Sequence, residues 1–231
     1  MTMTETPHAP DVIRLRDDWS IRCVVNSNDA SWMSSSSPHV QQLLLERLEG
    51  EQAPATSIVR YEPGASFTAP PLALGEEILV LDGILSDETG DYGAGVFIKN
   101  PPGSCHVQFS AQGCTIFLKL CDQDPMDSER VVVDTRTADW RPGLVEGLEV
   151  LPLHSFGTQH TALVRWAPRT YFNSHRHYGG EEILVLEGVF SDEQGDYPAG
   201  TWLRSPHLSQ HQPFSQSGCL ILVKVGHLLA A

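Results

Sequence analysis

One stretch of this chain is written twice. Gly75-Glu-Glu-Ile-Leu-Val-Leu-Asp-Gly returns as Gly180-Glu-Glu-Ile-Leu-Val-Leu-Glu-Gly, and Ser86-Asp-Glu-Thr-Gly-Asp-Tyr-Gly-Ala-Gly returns as Ser191-Asp-Glu-Gln-Gly-Asp-Tyr-Pro-Ala-Gly. A constant offset of 105 holds without gaps from residues 75–119 to residues 180–224, and 25 of those 45 pairs are identical. Convergent hydrophobic patterning alone does not give that much identity. The match continues upstream with small length changes. Ile58-Val-Arg-Tyr-Glu-Pro answers Leu163-Val-Arg-Trp-Ala-Pro, Trp32 answers Trp140, and Val24-Val25 answers Val132-Val133. The chain therefore divides into a lead-in (1–20), a first unit (21–122), an acidic, proline-containing linker (123–130) and a second unit (131–231).

Each unit reads as short strands. Ile78 to Leu81, Val96 to Lys99 and Thr115 to Leu120 are β-prone and separated by turn residues. Ser-Asp-Glu-x-Gly-Asp-Tyr has the composition of a hairpin connection. No long segment has a convincing helical period. The best helical candidate is His39 to Leu48, although Leu43-Leu44-Leu45 suits a strand equally. An all-β chain of two barrels or double-sheet jelly rolls follows.

With 41% hydrophobic residues the chain can fill a core, and its net charge of −14 argues against nucleic-acid binding and against docking on anionic lipid. No apolar run approaches the ~18 residues of a membrane helix. The first ten residues lack the features of a signal peptide, so a cytoplasmic location is the default. The five cysteines, an odd number, form no C-x-x-C pair. Cys114 and Cys219, each after a glycine and before an apolar run, read as small buried hydrophobes.

His175-Arg176-His177-Tyr178-Gly179-Gly180-Glu181 carries the chemistry. On a strand, His-x-His puts two imidazoles on one face, and Tyr-Gly-Gly can turn the chain into the strand opened by Glu181. His211 follows thirty residues later. Three imidazoles and a carboxylate suit Zn, Fe, Mn, Ni or Cu. The repeat is an internal control. At the offset of 105, His175 faces Pro70, His177 faces Leu72, Glu181 faces Glu76 and His211 faces His106. The framework thus does without two of the four side chains, and metal explains their presence in the second unit better than packing does. Glu76 and His106 alone are expected to form a hydrogen-bonded pair, a vestige of a site, in the first unit. Tyr178, on the turn between ligands, could line the mouth of a pocket. His207 is open between a supporting donor, a substrate contact and an exposed loop residue. Its loop, Pro206-His207-Leu208-Ser209, replaces Pro101-Pro102-Gly103-Ser104, and the missing glycine predicts a rearranged loop before His211. Asp192 and Asp196 recur in the metal-poor repeat and read as structural.

His-x-His-x-x-x-Glu, six residues, then Gly188 resembles the first cupin motif, and Gly195-Asp-Tyr-Pro-Ala-Gly200 with Pro206 and His211 is similar to the second. The pairing of the two repeated sequences is closer still to the cupin-like domain of ChrR-type anti-sigma factors. That resemblance implies two tandem cupin (RmlC-like jelly-roll) barrels, with one divalent metal in the C-terminal copy held by His175, His177, Glu181 and His211. Zinc comes first, with iron, manganese or nickel open. ChrR-type proteins also carry an N-terminal zinc module that grips the sigma factor. Residues 1–22 contain only His8 and no cysteine, so sigma-factor binding is not expected here.

Three functions are compatible with this reading: a sensor, regulatory or small-ligand-binding bicupin; a non-haem metal-dependent dioxygenase, or related lyase or isomerase, acting on a small oxygenated organic substrate; and a scaffold whose metal only clamps the barrel. No Ser-His-Asp order at useful spacing and no nucleotide-binding glycine motif is present. Two repeats can pack as an internal pseudo-dimer, and a homodimer of the whole chain stays open.

Overall fold

The computed structural model describes residues 14–35, 37–50, 52–68 and 71–228. Among them there are 22 strands and no helix. His39 to Leu48, the helical candidate, contains the strand Val40–Arg47, which pairs with Ala55–Tyr61. Leu43 and Leu45 share one buried face while Leu44, on the other, is half-buried, and that strand setting overrides any helical preference.

Each repeat builds one large sheet that curls over a smaller set of strands, giving two jelly-roll barrels. The central strands are Glu76–Asp87 and Glu181–Asp192, each paired on one side with the last strand of its repeat, Cys114–Leu120 or Cys219–Val225. The repeated Asp-Glu-x-Gly sequences close two-residue hairpins, with Asp87 opposite Gly90 and Asp192 opposite Gly195.

The repeated Glu-Glu-Ile-Leu-Val-Leu run is apolar on both faces because both faces are covered. Ile183 and Val185 point into their own barrel with Trp166, Phe190 and Ile221. Ile78 and Val80 do the same in the first barrel. Leu79 and Leu184 point the other way, into a third core shared by the barrels, with Phe97, Phe117, Trp202 and Leu222. The period of two also separates the paired glutamates: Glu76 and Glu181 turn inward, Glu77 and Glu182 outward to the shared face.

At that face Lys119 meets Glu182 at 2.6 Å and Lys224 meets Glu77 at 2.9 Å, so each barrel's lysine neutralises the other's glutamate. Asp122 sits 3.0 Å from Lys224 and 3.4 Å from Lys119. His227 lies 3.0 Å from Glu182, and the indole N–H of Trp202 donates to the same carboxylate at 2.6 Å. All these groups are buried or nearly so.

The sequence repeat and the sheet are not the same unit. The strand Cys23–Asn26 of the first repeat pairs with Thr201–Ser205 in the second sheet. The strand Val131–Asp134 of the second repeat pairs with Val96–Asn100 in the first sheet. Each barrel is edged by the other repeat's opening strand. The segment before that second exchanged strand, read from its composition as a linker, is packed: Gln123 and Asp127 are buried, and Asp127 is 2.6 Å from the buried ammonium of Lys99.

Candidate metal centre

Three local features converge on the inside of the second barrel. The short strand His175–Arg176 pairs with Gln210–His211, which sets His175 directly opposite His211. His177 follows on the same face, and Gly179 and Gly180 then turn the chain into Glu181. Both glycines have positive φ, and a Cβ on Gly179 would lie 2.6 Å from Gly226 Cα, so this turn has no room for a side chain. Glu181 starts the central strand with its carboxylate pointing inward.

The four side chains meet. One potential ligand atom from each of His175, His177, Glu181 and His211 lies within 4.8 Å of all the others. The three imidazole rings stand edge to face with centroids 4.6–4.9 Å apart. His177 Nε2, Glu181 Oε2 and His211 Nε2 are buried without a hydrogen-bond partner. Three orphaned polar atoms in one barrel are costly unless something binds them. Their types and convergence fit a divalent ion of the Zn, Fe, Mn, Ni or Cu group.

The electrostatics favour ligation. Burial pushes His177 down to about 3, helped by its imidazole neighbours, so the ring stays neutral and its lone pair free. Burial also lowers His175, against the pull of its hydrogen bond to the Asn173 carbonyl. That bond, 3.0 Å from Nδ1, leaves Nε2 of His175 for the centre. Burial lifts Glu181 to about 7, opposed by His211. His211 has Nε2 3.6 Å from Glu181 and Nδ1 3.5 Å from Asp192.

A cavity of about 170 Å³ opens beside the cluster. His175, Glu181 and His211 form its polar end, and Leu148, Trp166, Phe172, Phe190 and Ile221 are among its apolar walls. Among the described residues no lysine, arginine or amide side chain lines it. An apolar cavity of about 150 Å³ is enough to hold benzene, which sets the scale of a fitting ligand.

The remaining sequence candidates lie elsewhere. Tyr178 is exposed and is not part of the cavity wall. His207 is exposed on its loop, where Nδ1 accepts the backbone N–H of Gly179 at 2.8 Å and so braces the glycine turn. The loop around it keeps its arrangement despite the lost glycine. Leu208 N donates to the His177 carbonyl at 2.8 Å as Gly103 N donates to that of Leu72 at 2.7 Å. Leu208 takes a φ of 65°, where Gly103 has 79°. The expected rearrangement is absent because the leucine accepts the left-handed backbone instead.

In the first barrel the expected Glu76–His106 hydrogen bond does not form. Buried Glu76 accepts from Asn100 at 2.8 Å and Gln108 at 2.9 Å, while His106 pairs with Glu88. Asparagine and glutamine satisfy the carboxylate inside, which frees the histidine to bind at the hairpin. Leu72 is buried, and Pro70 lies outside the described residues. Sequence reasoning passed over the support behind His211. Asp192 occurs in both repeats, which argued for a structural role, yet only in the second repeat does its carboxylate face a histidine of the four-residue cluster.

The sequence family described as ChrR Cupin-like domain matches residues 20–123 and again 128–229. No curated protein matches the sequence. Among solved structures, a candidate dioxygenase from Nostoc punctiforme superposes with a TM-score of 0.75 at 14% identity, over 92% of this chain and 85% of that one. A candidate glyoxylate-induced protein from Pseudomonas aeruginosa gives 0.73 at 15%, over 97% and 95%. A bacterial pirin from Escherichia coli in complex with nickel(II) gives 0.63 at 11%, over 90% and 100%. At these identities the likeness is one of fold.

Proposed function

Because the chain belongs to the ChrR cupin-like domain family, we propose that it is a bicupin whose C-terminal barrel binds one divalent metal and, beside it, a small oxygen-bearing organic molecule. The supporting observation is the set of three buried atoms without a hydrogen-bond partner, on His177, Glu181 and His211, two of which, Glu181 and His211, also line an otherwise apolar cavity. When bound, the ion supplies a Lewis acid that fixes and polarises an oxygen donor. The protein supplies neutral imidazoles, one carboxylate and largely apolar walls. With no lysine or arginine in the cavity wall among the described residues, an anionic ligand would find its partner in the ion. A compact, mostly apolar molecule with one or two oxygens fits best.

Binding without turnover, as in a sensor, is the first reading. Catalysis by a metal-dependent dioxygenase is the second, favoured by the cavity's contact with three of the four ligands. The test starts with elemental analysis of full-length protein purified without added metal. About one divalent ion per chain is expected, with loss of it in His177→Ala. A chain that carries no ion and takes up neither Zn(II) nor Fe(II) overturns the proposal. Oxygen uptake that depends on Fe(II) and a small carbonyl compound moves the assignment from sensor to enzyme.

A further inference from the structure

We propose that Arg22, at the start of the first repeat's exchanged strand, is a positioning residue for the metal centre in the second barrel. The role presupposes the metal centre above. Arg22 precedes Cys23–Asn26, which lies on the second sheet. Its guanidinium reaches Asp192 Oδ2 at 2.7 Å and Tyr197 Oη at 2.8 Å, and also holds Gln194 at 2.9 Å. Tyr197 donates to Asp192 Oδ1 at 2.8 Å, and the Gln194 N–H reaches that oxygen at the same distance. The Asp192 side chain is fully buried, and its Oδ2 faces His211 Nδ1 at 3.5 Å. A carboxylate behind a ligating imidazole fixes its tautomer and ring orientation. Here it leaves Nε2 of His211 for the centre.

The first barrel contains the same arrangement without the metal set. Arg130, which answers Arg22 at the upstream offset, sits 3.1 Å from Asp87 and 3.0 Å from Tyr92. Asp87 lies 4.0 Å from His106, which binds Glu88 instead. The Arg–Asp–Tyr group is thus a device of both barrels, and only in the second does it stand behind a metal ligand. Each arginine directly precedes an exchanged strand, Arg22 before Cys23–Asn26 and Arg130 before Val131–Asp134, so the metal centre includes a contribution from the first repeat.

Full-length variants titrated with Zn(II) against a chromogenic chelator test this. Arg22→Ala is expected to weaken Zn(II) binding about ten- to hundredfold, with partial recovery in Arg22→Lys and a comparable loss in Asp192→Asn. Arg130→Ala removes the equivalent contacts from the metal-free barrel and should leave Zn(II) affinity unchanged. Should Arg22→Ala fail to fold, Arg22→Gln gives the same reading through a shorter neutral donor. Wild-type affinity in the folded Arg22 variants overturns the role, as does an equal loss in Arg130→Ala, which would mark general loosening. Wild-type protein that binds no Zn(II) removes the metal centre itself; wild-type binding with unaltered Arg22 variants removes this role alone.

Discussion

Glu181 and Glu182 are neighbours in sequence with opposite environments. Burial raises Glu181 to about 7 with no lysine or arginine bonded to it. Burial would raise Glu182 as well, but the Lys119 ammonium and the His227 hydrogen bond hold it below the ordinary carboxylate range. For Glu181 the sign is unfavourable without metal. The folded state holds a proton between pH 4.5 and about 7 that the unfolded chain has released, so stability falls as pH rises through that window. The shift corresponds to an upper limit of roughly 3 kcal/mol. Glu181→Gln should therefore stabilise the metal-free protein at pH 8 while abolishing tight metal binding. Chelator-treated denaturant melts at pH 6 and pH 8 check this, and a variant less stable than wild type at pH 8 would refute it. A residue that costs stability when empty and is needed when filled is the mark of a binding site.

The elements of this fold were largely legible in the sequence, and their partners were not. Alternating apolar residues and the Asp-Glu-x-Gly turns identified strands and hairpins because those signals are local. The convergence of His175, His177 and Glu181 was legible too, since His-x-His and the glycine turn lie within seven residues. Loops carried less information. The Pro206–Ser209 loop lost its glycine and kept its backbone, because the hydrogen bond to His177 and the contact of His207 with Gly179 hold it. A leucine at positive φ costs about 1–2 kcal/mol. Leu208→Gly should return part of that, a gain of about 0.5–1 kcal/mol after the added chain entropy of glycine. Urea denaturation measures it, and a loss of stability would show that the Leu208 side chain contributes more than its backbone costs. The exchanged strands and Arg22 were invisible beforehand for one reason: a strand's sequence states its period but not which sheet it joins.

At the scale of the whole molecule, two barrels share a face whose charges are paired crosswise. Removing one partner leaves the others buried and uncompensated, which typically costs about 3–5 kcal/mol. Lys119→Met should lose about that much at neutral pH. Glu182 is held below its ordinary value, so its contribution is present above about pH 4.5 and fades as pH falls. The deficit of Lys119→Met should accordingly narrow at pH 4, which paired urea melts at pH 7 and pH 4 would reveal. A deficit of the same size at both pH values would place the cost in packing instead of charge.

The crosswise strands also order events in time. When Val96–Asn100 has just been synthesised, its sheet still lacks the neighbour that residues 131–134 will bring. Cys23–Asn26 waits longer still, since its berth at Thr201–Ser205 lies far downstream in the chain. That strand must stay without its sheet partner until the later segment has been made, so its sheet is completed by a contact of very long sequence separation.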